Sequence, residues 1–181
     1  LIGVQITDGS REILLGTKQG IVIRFKEDEA RPMGRTAHGV RGITLEEGNE
    51  VIGMETITPD STTAILTITE GGFGKRTPVA EYRIQGRAGK GIISVKTTER
   101  NGLAVGFLQV RDDDQIMVMA AQGKVLRCKV DDIREIGRNT QGVRILDLDG
   151  EGDRVVAVAR LADAAEREDA TSEDTSENSS D

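Results

Sequence analysis

The chain has 181 residues, a formal net charge of −7, one cysteine, one histidine and no tryptophan. A single cysteine excludes a disulfide framework and zinc sites with several cysteine ligands, and with one histidine most metal-hydrolase and catalytic-triad chemistry lacks residues. No uncharged apolar run approaches the ~18 residues that a membrane helix needs.

The negative charge is concentrated at the C-terminal end. Residues 163–181 contain eight acids and one base, so residues 1–162 contain 23 bases and 23 acids and are neutral. The acidic total therefore does not argue against a polyanionic partner for the body of the chain.

The first predicted element is residues 1–10, in which Leu1-Ile2-Gly3-Val4 resembles Val51-Ile52-Gly53-Met54. The similarity predicts that this segment is the last strand of a preceding four-stranded unit. On this interpretation the chain is the C-terminal part of a longer protein.

Three repeated units follow, at residues 11–60, 61–112 and 113–162, related by offsets of 52 and then 51 residues. Glycines keep this register at three positions of the unit: Gly20/Gly72/Gly123, Gly34/Gly86/Gly137 and Gly39/Gly91/Gly142. We call each such set of equivalent residues a column.

Each unit predicts four short strands with glycine at the turns. The predicted strands are 11–17, 21–26, 39–45 and 50–57; then 62–69, 73–79, 91–96 and 103–110; and finally 115–121, 124–130, 142–148 and 154–161. No helical period is present. The pattern predicts an all-β, propeller-like fold with four-stranded blades.

The last predicted element is the acidic tail, residues 163–181. It is rich in Ser, Thr, Asp and Glu, and its few apolar side chains cannot offset the entropy of ordering. We predict that it is disordered, and a further hypothesis is that it folds back on basic residues of the body.

Arginine recurs once per unit in three columns: Arg24/Arg76/Arg127, Arg31/Arg83/Arg134 and Arg35/Arg87/Arg138. Residues 71–100 hold seven bases and two acids, whereas residues 46–70 hold six acids and no base. Repeated around a propeller, such positions predict a row of cations suited to a phosphate backbone. The predicted DNA contacts are Arg24, Arg35, Lys75, Arg76, Arg87, Lys90, Arg127 and Arg138.

Two other interpretations of the arginines stay open. An acidic column, Glu29/Glu81/Asp132, has the same offsets and can pair with Arg31/Arg83/Arg134 as surface salt bridges. A propeller scaffold that binds acidic protein partners would also need repeated cations.

Four aromatic residues are too few for a base-stacking platform. Tyr82 shares a column with Ala30 and Ile133, so we predict that it packs, and we assign no catalytic or metal-binding residue.

Several segments resemble a known family. Gly137–Val143, Gly34–Ile43, Gly74–Tyr82 and Thr98–Leu103 are similar to blades of the C-terminal domain of DNA gyrase A. The resemblance implies a β-pinwheel, a propeller variant whose neighbouring blades exchange strands and whose basic edge wraps double-stranded DNA.

The resemblance further implies a segment of a type II topoisomerase that introduces negative supercoils with ATP. It implies partners in the rest of gyrase A and in gyrase B, as a heterotetramer, and a bacterial cytoplasmic, nucleoid-associated location. No cofactor is implied in this segment, since ATP and Mg are used elsewhere in the holoenzyme.

One motif departs from the family pattern. Residues 85–91, Gln-Gly-Arg-Ala-Gly-Lys-Gly, match five of the seven positions of the family box Gln-Arg-Arg-Gly-Gly-Lys-Gly, but they do so in the penultimate repeat. We interpret them as a degenerate copy, with the intact box expected upstream of Leu1. The paralogous subunit of topoisomerase IV, which has a similar but less regular pinwheel, is the alternative within this resemblance.

Overall fold

The structure is a computed structural model that describes residues 1–150 and 152–161. The predicted acidic tail, 163–181, lies outside the described residues. The described part of the chain contains eleven β-strands and two short 3₁₀ turns, and no α-helix.

The strands follow the repeats of the sequence. In chain order they are β1 (Glu12–Thr17), β2 (Ile21–Lys26), β3 (Val51–Ile57), β4 (Ala64–Thr69), β5 (Phe73–Pro78), β6 (Ile92–Ile93), β7 (Ala104–Val110), β8 (Gln115–Ala120), β9 (Val125–Lys129), β10 (Val143–Arg144) and β11 (Val155–Leu161). The 3₁₀ turns are Glu27–Glu29 after β2 and Val79–Glu81 after β5.

The strands form three antiparallel sheets, in the orders β3-β1-β2-β6, β7-β4-β5-β10 and β11-β8-β9. Strand β6 comes from the second repeat but pairs with β2 of the first, Val22 opposite Ile92. Strand β10 comes from the third repeat and pairs with β5 of the second. The predicted all-β, propeller-like fold is confirmed, and each exchanged strand links one blade to the blade before it.

Residues 39–45 were predicted to form a strand, and this prediction is wrong for the described structure, which assigns none there. The reason is the strand exchange. Strands β6 and β10 each pair with the outer strand of the preceding repeat. The described residues contain no repeat before the first one, so residues 39–45 have no outer strand to pair with. Residues 1–10 also contain no strand, and the side chains of Leu1 and Ile6 are exposed.

Tight glycine positions allow the sheets to interlock. Gly20 and Gly72 have φ of +77° in the β1–β2 and β4–β5 turns. A Cβ on Gly20 would lie 2.3 Å from the carbonyl oxygen of Val95, and one on Gly72 would lie 2.2 Å from that of Leu146. These glycines therefore serve both the turn and the close approach of the exchanged segment.

The core lies between and within the sheets. One buried cluster joins the second and third blades and includes Leu66, Ile116 and Val155, and another joins the first and second blades through Leu14 and Tyr82. The inner strands β3, β7 and β11 are in contact in that order. The exchanged strands lie at the opposite edge of their sheets, so the loops that lead to them lie on the outside.

Candidate nucleic-acid interface

Three loops carry most of the cations on the outer edge. Residues 31–41, 83–93 and 134–144, which we call the first, second and third basic loops, contain nine Lys or Arg residues and one acid, Glu135. Each basic loop begins after the outer strand of its repeat and leads toward the exchanged segment. The excess of cations is therefore repeated at the same place in every blade.

The basic loops are in contact with one another. The backbone N–H of Ala88 donates to the carbonyl of Gly42 at 2.7 Å, which joins the second loop to the end of the first. Between the second and third loops, Arg138 Nη1 donates to the carbonyl of Ile93 at 3.1 Å. The Lys96 N–H donates to the Thr140 carbonyl at 2.8 Å in the same region. The three loops thus form one continuous surface.

Most of the loop cations face solvent. The exposed ones are Arg31, Arg35, Arg41, Arg83, Lys90, Arg134 and Arg144, and Arg87 and Arg138 are half-buried. Among the described residues, Arg144 is the one of these nine that forms an ion pair, with Asp147 at 3.0 Å. Among the described residues, the cationic side chains of these loops are therefore largely free of ion pairs, which suits phosphate binding.

The three arginines of the column Arg24/Arg76/Arg127 differ in burial: Arg24 and Arg76 are buried, and Arg127 is exposed. Arg24 is 8% exposed, and its Nε donates to Glu12 Oε2 at 2.6 Å. Its Nη1 donates to the carbonyls of Val79 at 3.0 Å and Tyr82 at 2.9 Å, in and just after the 3₁₀ turn of the next blade. Arg24 thus fastens the first blade to the second.

Arg76 has the same place at the next junction. It is 9% exposed, its Nε donates to the Ile133 carbonyl at 2.7 Å, and its Nη1 pairs with Asp112. Arg127 has no such neighbour in the described chain; it is exposed, and its Nε donates to Gln115 Oε1 at 2.8 Å. The geometry does not support Arg24 and Arg76 as phosphate contacts, because their guanidinium groups are enclosed between blades.

The column Arg35/Arg87/Arg138 lies in the basic loops. Arg87 Nη1 donates to the carbonyl of Arg41 at 2.5 Å, and Arg138 bonds Ile93 at the equivalent position. The acids Glu29 and Glu81 accept the backbone N–H groups of Arg87 at 2.7 Å and Arg138 at 3.1 Å. The acidic column therefore caps the next loop and does not pair with Arg31 and Arg83 as one interpretation proposed.

The two lysines predicted to contact DNA, Lys75 and Lys90, also differ in burial. Lys90 is exposed on the second basic loop. Lys75 has 0% of its surface exposed, and its Nζ donates to the carbonyls of Gly137 and Arg138. Burial lowers the pKa of the Lys75 ammonium to about 8. A phosphate does not reach Lys75 in this arrangement.

Several exposed cations of the surface were missed in the residue-level predictions. Arg41 and Arg144 share a column that Ile93 interrupts, so periodicity alone does not select them. Arg144 and Arg100 place their guanidinium carbons 5.0 and 4.8 Å from the centroid of the Phe73 ring, which holds both groups by cation–π contact. The acid-free stretches of sequence were the signal that could have found the loop residues.

Other kinds of site find little support. No cluster of three His, Cys, Asp or Glu side chains suited to a metal ion occurs among residues 1–150 and 152–161. Tyr82 is buried, and its hydroxyl shares a 2.7 Å hydrogen bond with Ser94 Oγ. None of the helical turns in the described ranges could cross a membrane.

The fold and the surface define a class of protein: a β-propeller whose blades exchange strands and whose outer edge carries a continuous row of cationic loops. A family model described as "DNA gyrase C-terminal domain, beta-propeller" matches residues 11–58, 63–111 and 114–162. The chain belongs to this family, and the resemblance seen in the sequence is confirmed.

Comparison with individual proteins shows similarity to DNA gyrase A. It is 50% identical over 169 residues to DNA gyrase A of Escherichia coli (strain K12), covering 93% of this chain and 19% of that protein. The chain thus spans about a fifth of the length of the curated relatives it matches.

Two solved structures share the architecture. The crystal structure of the C-terminal domain of DNA topoisomerase IV aligns with a TM-score of 0.85 and 29% identity, over 96% of this chain and 54% of that one. A DNA gyrase A C-terminal domain aligns with a TM-score of 0.76 and 25% identity, over 86% and 52%. Because the 50% sequence identity to a gyrase A is far higher than either value, the topoisomerase IV assignment stays the alternative.

Proposed function

We propose that this chain is a non-catalytic DNA-binding and DNA-wrapping segment of a DNA gyrase A. In this role it supports ATP-dependent negative supercoiling by a type II topoisomerase whose catalytic residues, ATP and Mg lie elsewhere in the holoenzyme. Its partners are double-stranded DNA, the rest of gyrase A and gyrase B in a heterotetramer, in the bacterial cytoplasm at nucleoid DNA.

The observation that carries the proposal is the continuity of the three basic loops, with nine cations against one acid. Cations on successive blades can neutralise phosphates along a duplex that follows the curved edge. Smoothly bending a duplex of about 20–30 base pairs costs on the order of 1–6 kcal/mol, and phosphate contacts offset this cost. With so few aromatic side chains, the surface holds DNA by its backbone and not by base readout.

The proposed contacts are revised from the sequence predictions. Arg35, Arg87, Lys90, Arg127 and Arg138 remain, and the exposed loop residues Arg31, Arg41, Arg83, Arg134 and Arg144 join them. We assign Arg24, Arg76 and Lys75 to the junctions between blades. We also propose that residues 1–10, which form no strand in the described structure, complete a preceding blade as its last strand. Three blades (11–60, 61–112 and 113–162) and an acidic tail (163–181) follow.

The proposal is tested by measuring the bending of a random-sequence duplex with dyes at its two ends. Binding of the 181-residue chain is expected to bring the dyes closer, with equal affinity for unrelated sequences. An absence of duplex binding at low salt would refute the proposal and favour the scaffold for acidic protein partners. Binding without approach of the dyes would refute wrapping.

A further inference from the structure

Lys75 is a charged side chain in the interior of a junction between two blades. It lies on β5 with 0% of its surface exposed, whereas the same column holds the apolar residues Ile23 and Leu126. A buried ammonium group is tolerated only where polar partners replace its water. Its partners therefore indicate what this lysine does.

The partners belong to the third basic loop. The Nζ of Lys75 donates to the carbonyl oxygen of Gly137 at 2.6 Å and to that of Arg138 at 2.5 Å. Glu81 accepts the backbone N–H of Arg138 at 3.1 Å. The peptide groups of Gly137 and Arg138 are thus held by a cation from β5 and an anion from the turn that follows it.

This anchoring also orients the next peptide group. The C=O and N–H of a planar trans peptide point in opposite directions. Because the Arg138 carbonyl points at Lys75, the N–H of Asn139 points away from the interior, and Asn139 is exposed. Backbone N–H groups presented in this way are common donors to phosphate oxygens.

The junction between the first and second blades shows the same position without a lysine. There Ile23 lies beneath the second basic loop, and a Cβ on Gly89 would be 3.4 Å from its Cδ1 atom. That loop carries Lys90 on its surface, at the position that Gln141 has in the third loop. The third loop therefore has a buried cation beneath it in place of one surface cation.

We propose that Lys75 is a positioning residue for DNA binding, which fixes the Gly137–Arg138 backbone so that the Asn139 N–H and the third basic loop face a phosphodiester. The inference rests on the proposed function, because the loop conformation matters for a ligand only if that surface binds DNA. Lys75 acts through the loop and does not touch the DNA.

The test is the variant Lys75→Met, which keeps an unbranched side chain, shorter by one heavy atom, and removes the hydrogen-bond donors. Amide hydrogen exchange is expected to accelerate at Arg138 and Thr140, whose N–H groups donate to Glu81 and to the Arg138 carbonyl, while the rest of the third blade keeps its protection. Affinity for a random-sequence duplex is expected to fall about three- to tenfold, the effect of one lost hydrogen bond. The matched control is Ile23→Met in the first blade, which should change neither measurement.

A second variant separates positioning from folding. Lys75→Gln can donate to one of the two carbonyls, so it is expected to recover part of the affinity and of the amide protection. Unchanged exchange and affinity in Lys75→Met would overturn the inference, and so would faster exchange with wild-type affinity. If the wild-type chain itself fails to bind duplex, the proposed function fails, whereas the exchange experiment still reports on the anchoring of the loop.

Discussion

Arg24 and Arg127 have the same place in two repeats and opposite surroundings. Arg24 is enclosed by Glu12 and by carbonyls of the next blade, whereas Arg127 is exposed. The arginine column predicted a cation at this position in every repeat. Periodicity alone does not say whether that cation meets water or a neighbouring blade, and this is why the buried role of Arg24 was not predicted.

The buried ion pair gives a stability prediction. Arg24→Ala leaves the Glu12 carboxylate buried without its partner and should lower the free energy of unfolding by about 3–5 kcal/mol. Arg127→Ala removes an exposed side chain and should change it by less than about 0.5 kcal/mol. Urea unfolding followed by circular dichroism measures both. Equal effects of the two substitutions would contradict the junction role.

Lys75 gives a pH prediction. Burial lowers its pKa from 10.5 to about 8; Glu81 opposes the shift and Arg138 adds to it. The folded state therefore binds fewer protons than the unfolded state between these values, and the lysine's contribution to stability rises with pH. Wild type should gain stability relative to Lys75→Met between pH 8 and pH 10.5. A constant difference in unfolding free energy over this range would contradict the shift.

At the scale of the element, the repeat spacing predicted most strands within one or two residues of their observed ends, β1, β2 and β8 among them. The repeat spacing did not predict that strands are exchanged between blades, because the residue pattern of a strand does not specify the strand with which it pairs. The exchanged strands are also shorter than predicted: β6 is Ile92–Ile93 where residues 91–96 were expected. Only the resemblance to a known family pointed to the exchange.

Gly91, just before the exchanged strand β6, allows a test of whether the close packing of this strand contributes to stability. Gly91 and Gly39 have φ of +77° and +78°, but a Cβ on Gly91 would lie 2.7 Å from the Val22 carbonyl, and one on Gly39 would have no neighbour within 4 Å. Gly91→Ala should therefore cost at least about 1 kcal/mol more than Gly39→Ala in thermal or urea unfolding. Equal costs would show that the close approach of β6 contributes nothing.

At the scale of the whole molecule, charge is segregated although the body is neutral. The basic loops hold nine cations on the outer edge, and residues 46–70, which include β3 and β4, hold six acids and no base. The fold class and the basic surface were therefore predictable from periodicity and local charge. The sequence did not predict which periodic arginines are exposed on this surface, because half of each junction between blades comes from a different repeat.

The most direct test of the account measures duplex affinity against salt concentration for Arg35→Ala, Lys90→Ala and Arg134→Ala, one residue in each basic loop, with Arg160→Ala on inner strand β11 as the control. Each loop substitution should lower the slope of log K against log salt by about one, equally for unrelated sequences, and the triple variant by about three. The control should leave the slope unchanged. A wild-type slope in the triple variant, or losses confined to particular sequences, would contradict the claim that these loops hold the phosphate backbone.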